Sequence, residues 1–143
     1  MSDEHFFHLI EVRYGDLDPQ GHVNNARYLT FMEQARSIYI RQVGLWNGKS
    51  FLDIGIILAH TEIDFLSPIL YGQTVKVTAQ VTRLGNKSFT MEHRLEAADD
   101  GTPFAKGLAV LVAYDYYRQK AIPIPPEWRH TIENFEGLSL SKE

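Results

Sequence analysis

From about Phe104 to Tyr116 the chain alternates small and bulky side chains. Ala105, Gly107, Ala109 and Ala113 fall on one face of an extended strand, and Leu108, Val110, Val112 and Tyr114 on the other. A face this bare lets a sheet curve closely around something bulky, and the bulky element lies upstream. Between Asn25 and Val43, apolar residues recur at Tyr28, Phe31, Met32, Ala35, Ile38, Tyr39 and Val43, which is helical spacing. Leu29 and Ile40 widen the stripe, so the helix is expected to be buried around most of its circumference. Asn24 reads as its N-cap and Gly44 as its stop. The fold class that follows is α+β, one long central helix wrapped by a curved, mostly antiparallel sheet. The apolar outer face of the last strand suggests a contact between subunits.

The other strands read from their period of two. Phe6 to Tyr14 is the first. Ile54 to Leu66 is apolar on both faces early and alternates later, until Ser67-Pro68 and Tyr71-Gly72 break it. Val75, Val77, Ala79 and Val81 alternate with polar residues as one strand, as do Phe89, Met91, His93 and Leu95, and Gly85-Asn86 joins the two as a hairpin turn. With 143 residues, 44% of them hydrophobic, and no repeat or linker, a single domain is expected over 1–143, with a core over about 5–117 and a C-terminal extension over 118–143.

Several functions are excluded at this level. A net charge of -4 offers no basic excess to neutralise nucleic-acid phosphates. The absence of cysteine removes disulfides, thiol nucleophiles and thiolate metal sites. The acidic start Met1-Ser2-Asp3-Glu4 is unlike a signal peptide, and the apolar run Ile54 to Ala59 is too short to span a bilayer, so a cytoplasmic protein without a membrane partner is expected. Gly48-Lys49-Ser50 resembles the end of a phosphate-binding loop, but Val43 stands where a glycine is required. Neither a Gly-x-Ser-x-Gly elbow nor a Gly-x-Gly-x-x-Gly fingerprint occurs. His5 and His8 fall on opposite faces of a strand and do not form a metal pair, and Asn86-Lys87-Ser88 reads as a turn rather than a glycosylation acceptor. Neither a metal nor a cofactor is expected.

The chemistry concentrates in residues 14–28. Asp16 and Asp18 stand beside Pro19 and Gly21, followed by His22, Asn24-Asn25 and the helix. This order puts a carboxylate next to the unpaired N–H groups of a helix N-terminus. Asp18 is the leading candidate for a base or nucleophile, since the helix dipole favours its anion; it also fits a plain cap of the helix or turn. Asp16 reads better as an Asx-turn residue. His22 is placed to orient a carbonyl or the base, or is a surface histidine. Asn25 offers a backbone N–H in the first helical turn. Tyr28, one turn on, lines the pocket or packs in the core. Glu33 and Arg36, three apart, are expected to form an intrahelical ion pair.

The run Tyr14-Gly15-Asp16-Leu17-Asp18-Pro19-Gln20-Gly21-His22-Val23-Asn24-Asn25, with Tyr28 following, resembles the hot-dog-fold thioesterases of the 4-hydroxybenzoyl-CoA thioesterase type. Phe65-Leu66-Ser67-Pro68 with Gly72, and Gly85 with Ser88-Phe89, are similar too, so the resemblance reaches from near the start to about Tyr116. It implies hydrolysis of an acyl-CoA thioester, with Asp18 in the place of the catalytic carboxylate and Asn25 in the place of the residue whose backbone N–H polarises the thioester carbonyl. His22 and Asn24-Asn25 also match a stretch of plant acyl-carrier-protein thioesterases in which a histidine takes part in catalysis. The plant pattern has an asparagine where this chain has Gln20.

A thiolate leaving group, with a pKa of about 8.5, departs without a strong general acid, so one carboxylate and one oxyanion site suffice. Asp18 is expected either to attack the thioester, giving a mixed anhydride, or to deprotonate water. Phe31, Ile57 and Leu58 are candidates for the acyl pocket, and Arg83, Lys87 and Ser88 for the CoA phosphates. The resemblance implies a homodimer or homotetramer with the site at a subunit interface. Two other readings are a non-catalytic acyl-CoA-binding module and a hot-dog hydratase or dehydratase; the latter carry Asp-x-Asn-Pro-x-His, from which Asp16 to His22 departs by an aspartate for the asparagine and one added residue.

Overall fold

A computed structural model describes residues 6–53 and 55–137. His5, Ile54 and the segment 138–143, on which sequence expectations were placed, lie outside the described residues. The chain runs β1 (Phe7–Glu11), a 3-10 turn (Tyr14–Asp16), α1 (Asn25–Gln42), a second 3-10 turn (Phe51–Asp53), β2 (Ile56–Phe65), β3 (Thr74–Thr78), β4 (Gln80–Leu84), β5 (Ser88–Ala97), β6 (Pro103–Asp115), the short β7 (Lys120–Ala121) and α2 (Pro126–Glu136). The strand order is β1-β3-β5-β6-β2, antiparallel throughout, with β4 also on β5 and β7 on β6.

The expected α+β arrangement is present: the sheet curls around α1. Asn24 caps the helix, its side chain accepting the Ala26 N–H at 2.9 Å. Tyr28, Phe31, Met32, Ala35, Tyr39 and Ile40 are buried against the sheet. The small face of β6 explains the closeness of fit. Ala105, Ala109 and Ala113 are buried, and a methyl placed on Gly107 would stand 2.5 Å from Met32 Cε and 3.1 Å from the Glu62 carbonyl oxygen. Gly107→Val is therefore expected to cost about 1–3 kcal/mol by overpacking. Chemical denaturation checks this, and Gly107→Val combined with Met32→Ala should cost less than the sum of the two, because they compete for one volume.

Three local readings are corrected. The first strand ends at Glu11 rather than Tyr14, because the Asp16 carboxylate accepts the Arg13 N–H at 2.9 Å and closes a 3-10 turn. The run from Val75 to Thr82 is not one strand but β3 and β4, interrupted at Ala79 with the register unchanged across the gap. Side chains replace the ladder there: Thr78 Oγ1 accepts the Arg94 N–H at 2.8 Å, and the His93 ring bonds the Thr78 carbonyl through Nδ1 at 3.0 Å. Glu33 and Arg36 do not pair. Arg36 turns into the protein, with Nη1 3.4 Å from His93 Nε2, whereas Glu33 stays exposed.

The stretch after residue 117 had no element assigned from sequence, yet it carries α2. Pro126 opens that helix and Gly137, at φ 75°, closes it in the left-handed region. Its buried Glu136 accepts the Tyr39 hydroxyl at 2.6 Å and the Val81 N–H at 3.0 Å, which ties the helix to both α1 and β4.

Candidate active site

Residues 18–22 form a closed turn. The Asp18 N–H donates to the His22 carbonyl at 2.8 Å and the Gly21 N–H to the Asp18 carbonyl at 3.0 Å, with Gly21 at φ 81°, where a side chain would be strained. One carboxylate oxygen of Asp18, Oδ1, accepts the N–H of Gln20 at 2.9 Å and of His22 at 3.2 Å. Among the described residues nothing donates to the other oxygen. The two readings of Asp18 thus coexist in one side chain: Oδ1 caps the turn, and Oδ2 is left to do something else. Asp16 is used up structurally, by the Arg13 N–H and by Arg27 Nε at 3.5 Å.

The turn delivers the chain straight into α1. Ala26 N–H goes to the Asn24 side chain and Arg27 N–H to the Asn24 carbonyl, while the Asn25 N–H has no acceptor among the described residues. Asp18, His22, Asn25 and Tyr28 line one cavity of about 590 Å³, whose other wall is Phe65, Leu66, Ser67 and Pro68 at the end of β2. The Tyr28 hydroxyl donates to the Ser67 carbonyl and accepts the Ile69 N–H, both at 3.2 Å, and its ring meets that of Phe65 edge-on at 5.0 Å. Tyr28 therefore both packs and holds the far wall. Burial raises its pKa; the Ile69 bond opposes this, and the Asp18 charge adds to it. The wall residues from Phe65 to Pro68 had been noted from sequence only as a familiar phrase; with their separation from Asp18 close to fifty residues, no local pattern pairs them.

The remaining candidates lie elsewhere. Phe31 is buried in the core and lines none of the cavities described. Leu58 lines a smaller cavity of about 120 Å³ together with Leu29, Met32 and Arg36. Ile57, 40% exposed, sits at the start of β2, opposite Val112. Ser88 also pairs with Val112, so the hairpin bearing Arg83, Lys87 and Ser88 stands at that same end of the sheet. Phe65 and the Asp18 cavity stand at the other end, eight residues or about 27 Å along β2. A single chain does not bring the expected phosphate-binding cations to Asp18. A third cavity, on the outer face of the sheet, is lined by Glu62, Asp64, Glu92, Arg94 and Lys106 and by none of the candidate residues. Of the cavities described, only that of 590 Å³ joins a carboxylate to a helix N-terminus.

The sequence profile of the thioesterase-like superfamily matches residues 12–132. The long-chain acyl-CoA thioesterase FadM of Escherichia coli K12 is 32% identical over 129 residues, covering 87% of this chain and 94% of that one. A 1,4-dihydroxy-2-naphthoyl-CoA hydrolase of Synechococcus elongatus is 27% identical over 128 residues, covering 87% and 91%. A thioesterase of Thermus thermophilus, solved in complex with coenzyme A and Zn, superposes with a TM-score of 0.84 at 38% identity and covers 96% of this chain and 98% of its own. Among the described residues of this chain, no group of three or more His, Asp or Glu side chains is arranged to hold a metal ion, and no helix is long and apolar enough to cross a membrane.

Proposed function

The chain belongs to the thioesterase-like superfamily, and from that premise we propose that it hydrolyses acyl-CoA thioesters at the Asp18 cavity. The observation that carries the proposal is the pairing of a half-free carboxylate with an unengaged helix N–H in one cavity. The thioester carbonyl oxygen points at the Asn25 N–H, which stabilises the charge that develops there. Asp18 Oδ2 then takes a proton from water as the water oxygen bonds to the carbonyl carbon. Collapse of the adduct breaks the C–S bond, and the thiolate leaves and takes up a proton, giving free acid and CoA. In the alternative route Oδ2 itself bonds to the carbonyl carbon, the C–S bond breaks and the thiolate leaves, and water opens the resulting anhydride to give the free acid and restore Asp18. His22 lines the cavity wall and orients the carbonyl or the water.

The enzyme acts as a homo-oligomer in this proposal. β2 pairs with β6 on one side only, and its exposed side chains include Ile57, Leu58 and Phe65. An unpaired edge strand of ten residues is a template for strand pairing, even with His60, Glu62 and Asp64 exposed along it. Antiparallel pairing of two copies along β2 sets the Ile57 end of one beside the Phe65 end of the other. The hairpin of the second copy, with Arg83, Lys87 and Ser88, then lies about three strand spacings, or about 15 Å, from the first copy's β2 end. That is the role left for these three residues: they hold the CoA phosphates across the interface.

The test is hydrolysis of saturated and α,β-unsaturated acyl-CoAs of graded length and of aromatic acyl-CoAs, followed by thiol release, with the molecular mass measured in solution. Steady release of thiol and free acid from an oligomer is expected. Stoichiometric binding without thiol release, or an added water across a double bond with the thioester intact, overturns the hydrolytic reading. Full activity in a monomer overturns the shared site.

A further inference from the structure

Arg36 is 7% exposed and is one of the residues lining the 120 Å³ cavity between α1 and β2, with Leu29, Thr30, Met32, Glu33, Leu58 and Thr61. A buried cation normally has a carboxylate against it, because removing its water is otherwise uncompensated. Here the partner within hydrogen-bond distance is His93 Nε2 at 3.4 Å, and no carboxylate lies within ion-pair distance of Arg36 among the described residues. His93 is a neutral partner, since burial and the Arg36 charge itself push it down to about 4. A neutral ring nitrogen engages one N–H of a fork built for two parallel bonds to a carboxylate.

The position of this cavity gives the missing anion a source. α1 runs from Asn25, at the candidate reaction centre, to Arg36, eleven residues or about 16 Å along its axis. The two cavities follow each other along that path: Asn25 and Tyr28 face Phe65 and Leu66 in the first, and Leu29, Met32 and Arg36 face Thr61 and Leu58 in the second. Tyr28 and Phe65, whose rings meet edge-on at 5.0 Å, line the first of the two. An acyl group extending from the Asn25 end along α1 and β2 would run toward Leu29, Met32, Leu58 and Thr61, with Arg36 at the far end.

We infer that Arg36 is a specificity residue that receives the terminal carboxylate of an ω-carboxyacyl thioester, so that the preferred substrates are CoA monothioesters of dicarboxylic acids. The inference rests on the hydrolytic reading of the Asp18 cavity and narrows its substrate class. A hydrocarbon end would leave the buried charge as it is, whereas a carboxylate completes the bidentate pair. Glu33 also lines this cavity; it is exposed and outside ion-pair distance of Arg36, though its charge still favours the cation against the cost of burial. Its charge repels an incoming carboxylate, so Glu33→Gln should strengthen the preference.

The experiment compares unsubstituted acyl-CoAs with ω-carboxyacyl-CoAs of equal length, in wild type, Arg36→Met and Arg36→Lys, reading kcat/KM and, by calorimetric titration, affinity. Wild type is expected to favour the ω-carboxylated substrate at least tenfold at the chain length that reaches Arg36. The ratio should fall to about one in Arg36→Met and recover in part in Arg36→Lys. A wild-type ratio at or below one at every length overturns the inference, and so does a preference that survives Arg36→Met. An Arg36→Met protein that loses activity on both series alike and runs at a smaller molecular mass shows that the cation serves a contact between copies instead. If no thioester is hydrolysed, the hydrolytic reading has failed, and the affinity ratio still decides the role of Arg36.

Discussion

Asp18→Asn is expected to lower kcat by a factor between about a hundred and ten thousand, with acyl-CoA still bound. The substitution is informative because it leaves the turn intact. The asparagine carbonyl oxygen keeps the place of Oδ1 and still accepts the N–H groups of Gln20 and His22. What disappears is the charge on the oxygen that no described residue engages. A protein that melts at the wild-type temperature but has lost turnover assigns Asp18 to the chemistry. Unchanged turnover would remove it from the mechanism. Asp18→Ala cannot make this distinction, since it also strips two backbone amides of their acceptor. A single turnover in heavy-oxygen water separates the two routes: direct attack by water labels the acid, whereas an anhydride opened at the Asp18 carbonyl leaves the label on the enzyme.

The parts of this molecule legible in its sequence are those in which one local pattern decides one structural outcome. The stripe from Tyr28 to Tyr39 and the bare face of Ala105, Gly107, Ala109 and Ala113 are periodic, and each can bury itself in only one way, against the other. The N-cap at Asn24 and the hairpin at Gly85-Asn86 are settled within a few residues. The candidate site is legible for the same reason. Carboxylate, turn and helix start follow within eight residues, so their proximity is a matter of chain length rather than of packing.

What the sequence hides depends on contacts between distant segments. Alternation continues without a break from Val75 to Val81, and nothing in it shows that Thr78 and His93 will take over each other's ladder bonds. The spacing of Glu33 and Arg36 favours an ion pair on an isolated helix, but such a pair contributes only about 0.5 kcal/mol or less. It is outweighed once the Arg36 stem has an apolar surface to cover and His93 to meet. Arg83, Lys87 and Ser88 are expected at the CoA phosphates as the cations and hydroxyl of a hairpin turn, whereas the strand pairing holds them at the end of the sheet opposite Phe65. In the proposed function their place comes from the pairing of two copies.

Between pH 6.5 and about 4 the fold is expected to lose about 3 kcal/mol of stability through His93 alone. Burial is the main cause of its lowered pKa, the Arg36 guanidinium adds to it, and the bond to the Thr78 carbonyl works in the opposite direction. The unfolded chain takes up a proton on this imidazole as the pH falls below about 6.5, and the folded protein does so only near 4. Over that window the unfolded state binds more protons, so acid favours it. The contribution is complete above 6.5, declines as the pH falls, and levels off below about 4. Urea unfolding of wild type and His93→Gln at about pH 7 and about pH 4.5 measures it, because carboxylates titrate alike in both proteins and cancel in the comparison. His93→Gln should lose less stability than wild type over this interval, by about 2 kcal/mol, the share of the full effect that falls above the lower pH. Equal losses would mean that His93 titrates normally in the fold. The consequence reaches beyond stability, since a protonated His93 sets a second cation against Arg36 and loses the lone pair that faces it. The junction of β3 and β4, which His93 bonds through the Thr78 carbonyl, should therefore loosen over the same interval in which stability declines.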